Sequence, residues 1–223
     1  MAREAEVLRL YTTMVGKLKD KLTSQVPRIL EALFGPTLEM ITNNFTEFPE
    51  HRINFFRFLQ AVNKHCFVAL FSIPPAEQKL VVQSIVWAFK HTDRDIAGTG
   101  LDILFDLLRN VSNSQAVAQR FYQAHLLALT QELLGVLTDR LHKASFAEHA
   151  KILRHVFQLV ETGGVQAPLF SRGEFPHVAS NQQFLRVFVS RLIAEHFPGN
   201  LSAADLKAYV ESFFQCKDPT QFR

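Results

Sequence analysis

Residues Phe48 to Thr92, FPEHRINFFRFLQAVNKHCFVALFSIPPAEQKLVVQSIVWAFKHT, hold two amphipathic stretches separated by a proline turn. Pro49 suits a first helical turn, where its missing N–H has no intrahelical partner to lose. Ile53, Phe56, Leu59, Val62 and Ala69 then recur at helical spacing. Ser72-Ile73-Pro74-Pro75 is expected to end that helix, because the residue before a proline is pushed out of the helical region. Pro75 is preset for the first turn of a second helix over 76–90, whose apolar face is Leu80, Val81, Val82, Ile85, Val86 and Phe89. Two amphipathic helices joined this tightly cannot bury all their apolar surface in each other. They need similar pairs on either side, which is the packing logic of a helical-repeat array.

The pattern extends outward in both directions. A first helix is expected from Ala2 to about Asp20, with Val7, Leu8, Leu10, Tyr11, Met14, Val15 and Leu18 on its apolar side. Thr23-Ser24 is placed to cap a second helix that has Pro27 in its first turn and carries Ile29, Leu30, Leu33, Phe34, Leu38 and Ile41. Gly35-Pro36 is a candidate kink. Downstream, Thr92-Asp93 caps a helix ending near Asn110, and a long helix follows from Gln115 to about Arg140. Ser145 is placed to cap the next, which runs to Glu161. Gly163 to Ser180 has no period and reads as a long surface loop. Asn181 opens a helix to His196, Pro198-Gly199-Asn200 turns, and Ser202 caps a last helix whose Phe213 and Phe214 are expected to be exposed.

First helices of successive pairs therefore start near residues 3, 49, 93, 146 and 202. These spacings approach the ~40 to 47 residue period of HEAT repeats, stretched by the long helix and the loop. The expected fold is all-α, a right-handed superhelical array of antiparallel helix pairs of the HEAT type, running as one array over 1–223. Its pairs are roughly 2–44, 48–92, 93–140 and 146–197, followed by an unpaired helix 202–216. An uncapped first helix and exposed terminal phenylalanines would suit a segment of a longer array.

Composition agrees with helices and excludes several classes of function. Gly and Pro number 9 each in 223 residues while Phe reaches 21, and no alternating strand pattern is bounded by hairpin dipeptides. The 24 basic and 21 acidic residues are interspersed, so the net charge of +3 is not a nucleic-acid signature. The charged opening MAREAEVLRL is unlike a signal peptide, and no apolar run approaches the ~20 residues needed to span a membrane, which points to a soluble intracellular protein. Cys66 and Cys216 fall on separate helices and read as two reduced thiols.

Catalytic and metal chemistry find no foothold. His149 and His155 are six apart, which puts them on different helix faces rather than in an i, i+4 zinc pair, and His51, His65 and Cys66 do not converge. Gly98-Thr99-Gly100 lies within a helical pattern and follows no strand, so it serves close helix packing rather than a dinucleotide. The three Asn-X-Ser/Thr sequons have no role in an intracellular chain. Leu101 to Leu108, LDILFDLL, has the spacing of a leucine-rich export signal, but the same spacing is that of a buried helix face, which the array needs. No enzymatic activity and no cofactor are expected.

The runs FPEHRINFFRFLQAVNKHCF and IPPAEQKLVVQSIVWAFKHT, with AGTGLDILFDLL, AQRFYQAH and HAKILRHVFQLVE, closely resemble the C-terminal part of the nuclear export receptors of the importin-β (karyopherin) superfamily. The similarity runs from about Val7 to about Phe214. It implies a piece of a receptor that binds leucine-rich export signals cooperatively with Ran-GTP, meets nucleoporins and shuttles between nucleus and cytoplasm. No direct nucleic-acid or membrane contact is implied. Cys66 has none of the surroundings of such a receptor's export-signal groove and is assigned no cargo role. A general HEAT-repeat scaffold for cytoplasmic protein partners, without a transport role, is the alternative.

At 100° per residue, Lys79, Gln83 and Lys90 share one stripe of the second hairpin helix, opposite Val82, Ile85 and Phe89, with Trp87 at its border. An aromatic flanked by cations is what protein interfaces favour. In karyopherins the second helices line the concave wall, so the resemblance implies that Lys79, Gln83, Trp87 and Lys90 bind a partner, Ran-GTP foremost. Gln182, Arg186 and Ser190 form a weaker stripe of the same kind on the helix after Asn181.

Overall fold

The two prolines start their helices as the sequence requires. Pro49 opens α3 (Pro49–His65) and Pro75 opens α4 (Pro75–Phe89) in a computed structural model that describes residues 2–44, 47–137, 145–196 and 202–215. The other helices are α1 (Ala2–Leu18), α2 (Val26–Asn43), α5 (Arg94–Ser112), α6 (Gln115–Leu137), α7 (Phe146–Glu161), α8 (Asn181–His196) and α9 (Ala203–Gln215). Among the described residues there is no strand, and the all-α, HEAT-type reading holds. The chain forms two compact units, Met1–Asn110 and Val111–Arg223.

In the first unit α3 is the hub. It packs on α1 and α2, and a 3-10 turn over Phe67–Phe71 links it to α2 and α4. Phe55, Phe56, Phe58, Leu59 and Val62 are buried almost completely. Asn63 shares that buried stripe, and its amide bonds across to α5. Asn63 Nδ2 donates to the Ile103 carbonyl on α5 at 3.1 Å, while Asn110 Nδ2 donates back to the Asn63 carbonyl at 2.9 Å. Gly100 lets α5 lie against α4, since a Cβ there would sit 2.6 Å from the Phe89 nitrogen. Gly98, by contrast, has open space around it, so only one of the two glycines serves close packing.

In the second unit α6 packs on α7 and α8, and α9 packs on α7 and α8. The loop over 163–180 is irregular, as its composition implies, but it is pinned from both ends. Gln119 Nε2 donates to the Gly164 carbonyl at 2.9 Å, and Gln119 Oε1 accepts from the Gln166 and Ala167 amides at 2.7 and 2.9 Å. Asn181 Nδ2 donates to the Val165 and Ala167 carbonyls, and its Oδ1 accepts from the Leu169 amide. These bonds substitute for the ladder partners that a loop backbone lacks.

Several local expectations are corrected. The first hairpin helix ends at His65 rather than at the Ser72–Pro75 turn, with Cys66 as its C-cap; Ala69 belongs to the 3-10 turn that follows. Neither Thr23 nor Ser24 caps α2: the chain passes through a 3-10 turn over Lys19–Leu22, and Gln25 takes the N-cap position without a side-chain bond. α2 continues through Gly35-Pro36. Ser145 makes no capping bond either; its carbonyl faces His149 Nδ1 at 2.7 Å. Asp93 and Ser202 do cap, with Asp93 Oδ1 accepting from the Asp95 and Ile96 amides, and Ser202 sharing a capping box with Asp205.

Leu10 and Leu18 on α1 and Leu80 on α4 are exposed rather than buried. Leu80 rims a shallow apolar cleft of about 110 Å³ with Leu30, Phe34 and Ile73. Phe214 is not exposed on α9: its ring stacks on Phe157 at 4.6 Å and lies 4.6 Å beneath the Arg186 guanidinium. The turn 198–200, Arg140, Cys216 and the Phe213 side chain lie outside the described residues.

Phe56 and Phe89 are 0% exposed, so Phe56→Ala or Phe89→Ala is expected to cost about 3 to 5 kcal/mol in urea unfolding. A cost under about 1 kcal/mol at both would place the core elsewhere. The Tyr122 hydroxyl is buried without a hydrogen-bond partner among the described residues, and burial pushes its pKa up to about 12. Tyr122→Phe removes an unsatisfied polar group, so it is expected to be neutral or stabilising by up to about 1 kcal/mol; a loss of about 2 kcal/mol would mean that the hydroxyl is bonded.

Candidate partner-binding surface

α4 is held to the core by one face and presents the other. Val81, Val82, Ser84, Ile85, Ala88 and Phe89 are buried, whereas Lys79, Gln83 and Lys90 are exposed. Three of the four predicted residues thus share an exposed stripe. Trp87 differs. It is half-buried and stacked on Phe56 of α3, with ring centroids 5.9 Å apart and planes 16° from parallel. One edge of the indole therefore belongs to the α3–α4 packing.

Beneath Trp87 lies a polar group that periodicity alone did not single out. The Arg52 guanidinium sits 5.8 Å from the indole centroid, and the residue is 4% exposed. Its Nη2 donates to the carbonyls of Asn44 at 2.8 Å, Glu47 at 3.0 Å and Ile41 at 3.3 Å. It thus satisfies the C-terminal end of α2 and clamps the chain leading into α3, where Phe48 adopts a left-handed backbone with φ 59°. The signal was available, because Arg52 falls on the same stripe as Phe55, Phe56, Leu59 and Asn63, and a cation at such a position needs internal acceptors.

His91 completes the group, its ring 4.9 Å from Trp87. Its Nδ1 accepts the Asp93 amide at 2.9 Å, which requires that nitrogen to be unprotonated. Burial, and then the Arg52 charge, push its pKa below the ordinary 6.5, with Asp93 pulling the other way. Burial likewise lowers the Arg52 pKa, again opposed by Asp93.

The weaker stripe is half-buried and tied to its neighbours. Arg186 pairs in two-pronged fashion with Glu161, at 2.5 and 3.0 Å, and approaches Glu211 at 3.7 Å; Ser190 Oγ donates to the Arg186 carbonyl. Arg186 fastens α8 to α7 and α9. The LDILFDLL run is also internal: Leu101, Ile103, Leu104, Leu107 and Leu108 are buried. Cys66 is a buried free thiol. Among the described residues no cluster of three His, Cys, Asp or Glu is placed to hold a metal, and no helix is long and apolar enough to cross a membrane.

Fold and surface together define a class: an all-helical, HEAT-type chain whose candidate site is a cationic helix face beside an aromatic. Residues 1–223 match the CRM1 C-terminal family. The chain is 44% identical to Exportin-1 of Schizosaccharomyces pombe over 212 residues, 95% of this chain and 20% of that protein. It is 40% identical to Protein EXPORTIN 1B of Arabidopsis thaliana over 218 residues, 97% of this chain and 20% of that protein. Exportin-1 of Drosophila melanogaster is 41% identical over 220 residues, 99% of this chain and 20% of the fly protein. The chain belongs to the CRM1 C-terminal family. It spans about a fifth of the length of these relatives.

The lowered His91 pKa has a definite sign. Because the folded value lies below 6.5, the unfolded chain takes up this proton first as pH falls. The stability contributed by neutral His91 is therefore present above pH 6.5 and lost as pH drops below it toward the folded value. His91→Asn retains an acceptor and cannot titrate, so its stability is expected to fall less than wild type between about pH 6.5 and pH 5 in thermal melts. Parallel curves for the two proteins would contradict this placement of the proton.

Proposed function

We propose that this chain is a non-enzymatic part of a nuclear export receptor, its helix pairs forming a single array over 1–223. The observation that carries this reading is the 44% identity to an Exportin-1 across 95% of the chain. In this reading the whole receptor binds leucine-rich export signals cooperatively with Ran-GTP, engages nucleoporins and shuttles between nucleus and cytoplasm. Cooperativity needs no contact between ligands. One ligand bends a helical array, and the other binds the bent form better.

The exposed stripe Lys79, Gln83 and Lys90, with the outer edge of Trp87, forms part of the surface that meets Ran-GTP. What supports it is the combination of exposed cations and a supported aromatic on one face of α4. Phe56 and Arg52 hold the indole in one orientation, so little side-chain entropy is lost when a partner covers it. The same support makes Trp87→Ala a poor probe, because removing the ring also removes α3–α4 packing.

The test is a chimera in which this chain replaces the corresponding fifth of Exportin-1 of Schizosaccharomyces pombe. The chimera is expected to bind Ran-GTP and an export-signal peptide cooperatively. Lys79→Glu with Lys90→Glu is expected to weaken Ran-GTP binding about two- to fivefold, since exposed ion pairs contribute about 0 to 1 kcal/mol each. Peptide affinity would then fall only when Ran-GTP is present. The reversal at Lys90, beside the α4 C-terminus, costs about 0.3 to 1 kcal/mol of stability, too little to unfold the array. Equal Ran-GTP affinities at two salt concentrations would return the stripe to ordinary solvated surface. A chimera that folds but binds neither ligand would favour the scaffold alternative.

A further inference from the structure

Away from the α4 stripe, the C-terminal ends of α1 and α3 meet at one edge of the first unit. Four lysines lie on these chain ends: Lys17 in the last turn of α1, Lys19 and Lys21 in the following 3-10 turn, and Lys64 in the last turn of α3. All four residues are exposed. The two segments are tied together, since Cys66 Sγ donates to the Lys19 carbonyl at 3.1 Å. That bond anchors the turn at Lys19, whose backbone is left-handed with φ 51°. His65 senses the crowding: after burial, the charges of Lys64 and Lys19 push its pKa below the ordinary imidazole value.

Asp20 is the one carboxylate in the runs 17–21 and 64–68. Among the described residues none of the four lysines has an ion-pair partner. Four ammonium groups against one carboxylate leave an excess equal to the formal +3 of the whole chain. The same segments carry two exposed aliphatic side chains, Leu18 at 42% and Val68 at 64%. Like charges held together repel, and exposed aliphatics gain nothing from water, so neither feature contributes to folding.

We propose that Lys17, Lys19, Lys21 and Lys64, with Leu18 and Val68 among them, form a docking surface for an acidic protein segment that carries a large apolar side chain between Glu or Asp residues. Such a segment neutralises the lysines and covers the aliphatics in one step. Nucleic acid fits less well. The patch offers no guanidinium for bidentate phosphate contact, and its nearest aromatics, Phe67 and Phe71, are half-buried against each other at 5.1 Å instead of open for base stacking. A lipid surface is disfavoured because two aliphatics on separate turns do not make the continuous apolar face that inserts into a bilayer.

The experiment uses the full chain and fluorescence anisotropy. The probe is a fluorescein-labelled peptide of about 12 residues in which single Leu and Phe residues alternate with pairs of Glu. Poly-glutamate of equal charge, a single-stranded RNA of about 20 nucleotides and phosphatidylserine–phosphatidylcholine vesicles are the competitors. The Leu/Phe-bearing peptide is expected to bind more tightly than poly-glutamate, RNA or vesicles, with an affinity that falls as salt rises. Lys21→Glu with Lys64→Glu is expected to lower that affinity at least about tenfold at low salt. Val68→Ser is expected to lower it about threefold while leaving poly-glutamate binding unchanged. The neutral pair Lys21→Gln with Lys64→Gln gives the same direction with a smaller loss, and serves if the double reversal does not fold. Tighter binding of RNA or vesicles, no peptide binding at low salt, or an affinity indifferent to the lysine changes would each overturn the proposal.

Discussion

α3 has almost no solvent-facing side, and the first unit follows from that constraint. Pro49, Glu50, Arg57 and Lys64 are its exposed residues; every other position is buried or half-buried. A helix covered this fully needs neighbours around most of its circumference, so α1, α2, α4 and α5 all touch it through side chains or close backbone packing. It also forces polar residues inside. Arg52 and Asn63 are tolerable there because backbone carbonyls of α2, its following loop and α5 receive the Arg52 Nη2 and Asn63 Nδ2 donors, although Arg52 Nε has no partner among the described residues. Those bonds do more than repay burial, since each ties α3 to a different neighbour.

The functional reading rests on the same constraint. Phe56 supports the indole of Trp87 from one side and Arg52 stands beside it, so the aromatic at the border of the α4 stripe is fixed by α3. A surface of this sort is pre-organised, because its aromatic is held in place before any partner arrives. The lysine edge at the ends of α1 and α3 has a similar basis, because the Cys66 thiol anchors the turn that carries Lys19.

Much of this was legible in the sequence, for reasons particular residues make plain. Pro49 marks the start of α3, and Pro75 that of α4, which begins at Pro75 rather than at the expected Ala76, since proline is tolerated in the first turn and nowhere later without loss of a bond. Asp93 and Ser202 announced their caps. Thr23, Ser24 and Ser145 did not, because capping requires the backbone to break before the helix, and at Gln25 it runs on in helical geometry. The end of α3 was misplaced for a related reason: Phe67 to Phe71 keep helical spacing while the backbone tightens to a 3-10 turn, and apolar periodicity does not separate the two. Of the partner stripe, the exposure of Lys79, Gln83 and Lys90 was readable from 100° spacing. The stacking of Trp87 was not, since it depends on the angle at which α3 crosses α4. Leu10 and Leu80 show the converse limit, where a periodic position lies at the edge of a face rather than within it.

In the proposed reading, α3 holds the Trp87 face of α4 ready for a protein partner. Hydroxyl-radical footprinting of the chimeric receptor, with and without Ran-GTP, reads Trp87 directly because the indole is half-exposed and reactive. Trp87 oxidation is expected to slow when Ran-GTP is bound, while Phe56 beneath it stays unmodified in both states. Unchanged Trp87 oxidation in a chimera saturated with Ran-GTP would contradict it.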